Sequence, residues 1–216
     1  HTYKDGVTSI NGYLEDYATV IDAYIKLYEV TFNEHWLNTA KQLTDYTFDH
    51  FFDNEKSMFY FTSDEDTSLI TRKMETEDNV ISASNSIMAN NLFKLSHYYS
   101  NNHYLKVSKQ MLSNLKETAI NYGSSYSNWL QLMSSFSGKY YEVAISGEDA
   151  FKKLEELNKN YIPNKLVAGS VGESKIPLME GRFNPGETFI YVCVEGACKL
   201  PESEMSKAIN QMKIEF

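Results

Sequence analysis

Cysteine is nearly absent from this chain, with two residues in 216. That excludes a disulfide framework and a four-thiolate zinc centre. Proline and glycine are also scarce, at 4 and 10 residues, which excludes a linker or a low-complexity tail. Basic residues are outnumbered, 20 Lys and Arg against 29 Asp and Glu, for a net charge of −9. Duplex nucleic acid needs clustered cations to neutralise its phosphates, so it is not an expected partner. No apolar run approaches the roughly 18 residues of a membrane span, and nothing in the opening residues reads as a signal peptide. The chain opens on His1 rather than Met, which leads us to expect further sequence upstream. What is abundant is apolar and aromatic surface, 42% and 14% of residues. That suffices for one well-buried core, with or without a small appendage.

The first half has helical periodicity. From Tyr13 to Val30 the apolar positions Leu14, Tyr17, Ala18, Ile21, Ile25 and Tyr28 fall on one face. A second helix is expected over about 35–52, with Trp36, Leu37, Ala40, Leu43, Phe48 and Phe51 on its apolar side. Only Thr31 to Glu34 separate the two, so they form an antiparallel hairpin. The pattern returns in a helix from about Ser84 and another over about 103–121. Asn33-Glu34-His35-Trp36-Leu37 and Asn101-Asn102-His103-Tyr104-Leu105 match at an offset of 68 residues, as do Lys26-Leu27 and Lys94-Leu95. Asn33 and Asn101 are suited to cap the second helix of each pair. Repeated hairpins of this kind stack side by side, each burying what the other cannot.

A long connection, about 53–83, joins the hairpins. It holds a strand-like Phe59-Tyr60-Phe61-Thr62, the acidic Ser63-Asp64-Glu65-Asp66, then Leu69-Ile70-Thr71-Arg72 and Glu75-Thr76-Glu77-Asp78-Asn79. Connections of this length are uncommon in compact domains and tend to carry function. Arg72 is expected to pair with Glu75 or Glu77, or to meet an anionic ligand. After Gly138 the grammar changes. Strands are expected over about 140–145, 166–168 and 188–194, with helices over about 148–158 and 203–212, which makes a small α/β unit.

Gly12-Tyr13-Leu14-Glu15-Asp16-Tyr17-Ala18, then Asp78-Asn79-Val80 ahead of Ser84-Asn85-Ser86, then Tyr191-Val192-Cys193 with Cys198 and Pro201, resemble the C-terminal third of the YyaL-like proteins. These are also called the spermatogenesis-associated thioredoxin-domain-containing family. The resemblance implies a mainly α fold: helical hairpins of an (α/α) toroid over 1–137, forming an incomplete ring, followed by a small α/β segment over 138–216. The toroid is similar to those of N-acylglucosamine 2-epimerases and six-hairpin glycosidases. It further implies partners elsewhere in a longer protein, namely an upstream thioredoxin-like domain and the remaining hairpins. No fold-level likeness fixes a reaction.

Toroids of this kind bind ligands in a central funnel, at the loops leading into the inner helices. The resemblance therefore implies a site at two helix starts. Glu15 and Asp16 are its candidate catalytic pair, and Tyr13, Tyr17, Asp78, Ser84 and Asn85 its candidate ligand-binding residues. Carboxylates and carboxamides suit sugar hydroxyls, aromatic rings suit the apolar face of a pyranose, and paired carboxylates can exchange protons. A structural reading stands beside this one, because acidic residues in a first helical turn complement the helix dipole. Ser84 is a good N-cap, which leaves Asn85 for a ligand. The expected ligand is a small sugar, with no cofactor and no metal, since the five histidines are scattered without ligand spacing. The alternative is a non-catalytic scaffold that docks the thioredoxin-like domain or a client protein. Cys193 and Cys198 flank Gly196. A turn there would bring them within disulfide range, with thiol exchange as a third reading; otherwise Cys193 is a buried strand residue. Few features of a secreted protein are present, so the expected compartment is the cytoplasm.

Overall fold

A computed structural model describes residues 3–66 and 71–212, so Leu69 and Ile70 of the long connection lie outside the described residues. Helix α1 (Leu14–Thr31) buries Leu14, Ala18, Ile21, Ile25 and Tyr28, and α2 (Glu34–Phe51) buries Leu37, Ala40, Thr44, Thr47 and Phe51. Fully burying one such aliphatic side chain is worth about 1.5–3 kcal/mol, so these faces hold the hairpin shut. The turn is set by backbone geometry. Phe32 takes φ 51°, its N–H returns to the Tyr28 carbonyl, and the Asn33 side chain then accepts from the His35 N–H at 3.0 Å. The second hairpin, α3 (Ser84–Tyr99) and α4 (Asn102–Asn121), repeats the device 68 residues later. Ser100 takes φ 50°, and Asn101 accepts from the N–H groups of His103 and Tyr104. Both expected asparagine caps are present.

The two hairpins stack with α1 and α3 parallel. Asn91 Nδ2 donates to the Ala18 carbonyl, Lys94 reaches Asp22, and the Tyr98 hydroxyl donates to Glu29, so both helices ascend together. A fifth helix, α5 (Ser127–Ser137), continues the row. Asn128 Nδ2 donates to Ser86 Oγ and Phe136 packs edge-on against Phe93, so α5 runs parallel to α3. The sequence reading did not single out α5, although Trp129, Leu132, Met133 and Phe136 have the spacing of one helical face.

Strands β1 (Tyr3–Lys4) and β2 (Val7–Thr8) pair at the chain start, and β3 (Phe52–Asp53) pairs with β4 (Met58–Phe59). The expected strand at 59–62 shrinks to the Met58–Phe59 pair. The sheet of the last third has the order β6-β5-β7-β8. Strands β5 (Tyr141–Ser146) and β6 (Lys165–Ser170) are parallel, joined through α6 (Ala150–Asn158). β7 (Phe189–Val194) runs antiparallel to β5 and turns into β8 (Ala197–Cys198), ahead of α7 (Met205–Gln211).

The sheet is covered on both faces. Tyr141, Val143 and Ile145 join Leu154, Leu157 and Ala208 in one cluster, while Ala144, Leu166 and Ala168 join the cluster built from the hairpins. Phe32, in the first hairpin turn, lies so close to Gly169 that an added Cβ would sit 2.3 Å from its ring. With seven α-helices and small sheets among the described residues, the chain is mainly α with a minor strand part.

Candidate functional site

The expected residues fall at the leading ends of α1 and α3, in two layers. In the upper layer Tyr13 stacks on Phe61 at 4.9 Å, and Tyr17 stacks on Tyr46 at 5.2 Å. Asp16 Oδ2 accepts from the Tyr13 N–H at 2.8 Å, which is helix capping by a first-turn carboxylate. Glu15 is different. Burial, then the neighbouring carboxylates of Glu75 and Asp16, raise its pKa above the ordinary value. Glu75, expected from the sequence only as a partner for Arg72, thus lies near both helix starts, repelling Glu15 and accepting from the Ser84 N–H.

The lower layer is committed to backbone. Asn85 is fully buried, accepts from the Phe59 N–H at 2.9 Å, and donates to the carbonyls of Phe59 and Glu75. Its carboxamide holds β4 against α3 and has no group turned to a ligand. Asp78 is buried too. It accepts from the Ala83 N–H and Ser86 Oγ through one oxygen and from the Asn128 N–H through the other, so it ties the starts of α3 and α5 together. Ser84 is not the N-cap; that position is Ala83. The Ser84 N–H is satisfied by Glu75 Oε2, and its buried Oγ has no partner among the described residues. Arg72 pairs with neither expected glutamate. It donates to the carbonyls of Thr62 and His50 and lies 4.2 Å over the Tyr60 ring, locking the connection to the end of α2.

The residues turned toward open space are one turn further along the same helices. Glu15, Thr19, Asp22, Lys26 and Glu29 form a single stripe on α1 at helical spacing. From Thr19 onward this stripe lines a hollow of about 1000 Å³ between α1, α3, α5 and the edge of the sheet. Ile87, Asn90 and Lys94 line it from α3, and Asn128, Gln131 and Ser135 from α5. In each helix the lining falls at positions i, i+3 and i+7, and the α1 and α3 sets are related by the 68-residue repeat.

Two charged groups organise the hollow. Asp22 receives Lys94 Nζ at 2.8 Å on one oxygen and Lys26 Nζ at 2.8 Å on the other. Burial pushes its carboxyl up, but the two ammonium groups prevail and hold it below the ordinary value. Glu29 goes the other way, because burial raises its pKa against hydrogen bonds from the Val167 N–H and the Tyr98 hydroxyl. The two carboxyls lie about two turns apart on α1, and different neighbours push their pKa values in opposite directions. Lys165, on the sheet edge, has its pKa lowered by burial and donates to the Ile162 carbonyl.

On the strand beside β5, Cys193 and Cys198 are bridged, opposite one another in the β7–β8 ladder. Glu195 at φ 52° and Gly196 at φ 76° make the turn. The Arg182 guanidinium places one nitrogen 3.3 Å from each sulfur, a neighbouring cation that the sequence reading had not found. Among the described residues no group of three or more His, Cys, Asp and Glu is arranged to hold a metal, and no helix is long and apolar enough to cross a membrane.

These observations define a class: a mainly helical chain whose parallel helices turn a polar face onto one hollow, backed by a small mixed sheet. No family model matches it. The chain is similar to spermatogenesis-associated protein 20 of Homo sapiens, 25% identical over 203 residues, covering 88% of this chain and 26% of that protein. It is similarly related to the Mus musculus protein of that name, 24% identical, with 93% of this chain and 27% of that protein covered. The chain thus spans about a quarter of the length of the relatives it matches.

Proposed function

We infer that this chain forms part of the wall of a binding hollow for a small polyhydroxylated, sugar-like molecule. In this reading it belongs to a longer protein of the spermatogenesis-associated thioredoxin-domain-containing family, in which the hairpins are part of an (α/α) toroid. The observation that carries it is the convergence of three polar stripes, at equivalent helical positions of α1, α3 and α5, on one hollow of about 1000 Å³. That volume suits a small organic ligand. Hydroxyl groups need donors and acceptors together: Asn90 and Asn128 give their amide N–H groups to Ser86 and the Asn128 carbonyl and keep their carboxamide oxygens as acceptors, while Gln131 and the lysines of the wall supply donors. Glu29 lines the hollow with its pKa raised by burial, and Glu15 heads the same α1 stripe outside the lining. Asp16 caps α1 in this reading, and Glu15 lies about four helical turns from Glu29, so any proton transfer in the hollow rests on Glu29.

Saturation-transfer NMR of the 216-residue chain with a panel of monosaccharides and polyols tests the reading. A signal that is lost in Asp22→Asn and retained in Tyr161→Ser, a change at an exposed position outside the hollow, supports it. Absence of any signal, or a signal indifferent to Asp22→Asn, overturns it.

A second reading, docking of another part of the longer protein, has its own observation. Val20, Leu27 and Val30 form an apolar stripe on α1 that is 38–57% exposed. Their equivalents 68 residues on, Met88, Leu95 and Tyr98, are fully buried where α3 seats on α1. The face by which one hairpin docks on another is therefore repeated with nothing on it. A further helical hairpin is the occupant that fits, and an upstream thioredoxin-like domain would follow it. Leu27→Asp should destabilise the longer protein and leave the 216-residue chain unchanged; equal indifference in both defeats the docking.

A further inference from the structure

The hollow carries charge of the opposite sign to the molecule. Four lysines line it, Lys26, Lys94, Lys139 and Lys165, against two carboxylates, Asp22 and Glu29, in a chain whose net charge is −9. The cations are not evenly spread. Lys26 and Lys94 are spent on Asp22. Lys139 and Lys165 stand where β5 and β6 begin, with Asn164 between them in the wall, its side-chain amide donating to the Lys139 carbonyl.

Lys165 is half-buried and its ammonium donates to one backbone carbonyl, Ile162. An ammonium has three N–H donors, so two of this one remain for whatever occupies the hollow. An incoming anion would take the remaining donors of Lys165, with Lys139 in the same wall.

We propose that the ligand of the hollow is anionic, a polyol bearing a phosphate or carboxylate group that is seated on Lys165 and Lys139 at the sheet edge. Its hydroxyls face Asp22, Asn90, Asn128 and Gln131 on the helices. The proposal rests on the polyol reading above and adds the charge and its seat.

The test is a calorimetric titration of the 216-residue chain with glucose, glucose 6-phosphate, glucuronate and inorganic phosphate, at low and high salt. The anionic sugars should bind at least about tenfold tighter than glucose, the gain expected of one charge-assisted contact, and the advantage should shrink with added salt. Which of the two wins identifies the anionic group. Lys139 is exposed, so Lys139→Met keeps the fold, and it should reduce the preference along with Lys165→Met. Glucose binding as tightly as the anionic sugars overturns this proposal and leaves the polyol reading standing. A preference unchanged in both lysine variants also overturns it. Inorganic phosphate binding as tightly as the sugar phosphate supports the anion seat and overturns the polyol reading. No binding by any of the four overturns both.

Discussion

Asp22 binds two lysines that are repeat-equivalents of one another, Lys26 from its own helix and Lys94 from α3, each at 2.8 Å. The same residue type at the same repeat position thus serves once within a helix and once across the seam between hairpins. This pair and Glu29 make the stability of the chain depend on pH in two opposite directions. Asp22 is held below its ordinary value of 3.8, so its contribution is present above that pH and is lost as pH falls through the lowered value. Glu29 is held above its ordinary 4.5, so the folded state keeps a proton that the unfolded chain has released. Stability therefore declines as pH rises from there through the raised value. Urea denaturation from about pH 3 to pH 8 should show Asp22→Asn removing the acid-side loss and Glu29→Gln removing the decline above it. Parallel curves for the two variants and the parent would refute the assignment.

Leu27 and Leu95 occupy the same repeat position and should respond oppositely to charge. Leu95→Asp places a carboxylate in a fully buried site and should cost about 3–5 kcal/mol or prevent folding. Leu27→Asp, at 38% exposure, should stay within about 0.5 kcal/mol of the parent. Thermal unfolding of the two variants decides the matter, and comparable losses would mean that the α1 face is already covered in the isolated chain.

Asn85→Ala should weaken folding by about 2–3 kcal/mol, because it strands the buried Phe59 N–H and two carbonyls. Ligand affinity, measured on the folded fraction, should be unchanged. A selective loss of binding at constant stability would return Asn85 to the site.

The bridge between Cys193 and Cys198 closes a short loop, so its removal in Cys198→Ser should cost about 2 kcal/mol. After gentle reduction the two thiols should part company towards an alkylating reagent. Cys198 is exposed and should react first, while Cys193 is fully buried and should be protected. Equal rates at both positions in mass spectrometry would show that reduction opens the sheet edge rather than the bond alone.

Much of the fold was legible. Apolar spacing placed α1 and α2 within a residue or two, the Asn33 and Asn101 caps gave the second helices, and the 68-residue repeat joined the hairpins. α5 was passed over because its eleven residues follow a run of small and polar ones, and only Trp129 and Leu132 are buried. The candidate site was less legible, for a definite reason. A helix start rich in Asp, Asn and Ser looks the same whether those groups face a ligand or satisfy backbone, and Asp78 and Asn85 satisfy backbone. Glu15 heads the α1 stripe whose later members, from Thr19 on, line the hollow.

The sequence by itself determined which residues form helices, where the hairpins turn and which positions are equivalent between them, since these depend on contacts only a few residues apart. Only the tertiary structure decided that Lys94 rather than Lys26 crosses the seam, that Glu29 meets a strand 138 residues away, and that the hollow is cationic. Those outcomes depend on how far one helix slides and rotates against the next. That register is fixed by the packing of whole faces and has no local spelling in the chain.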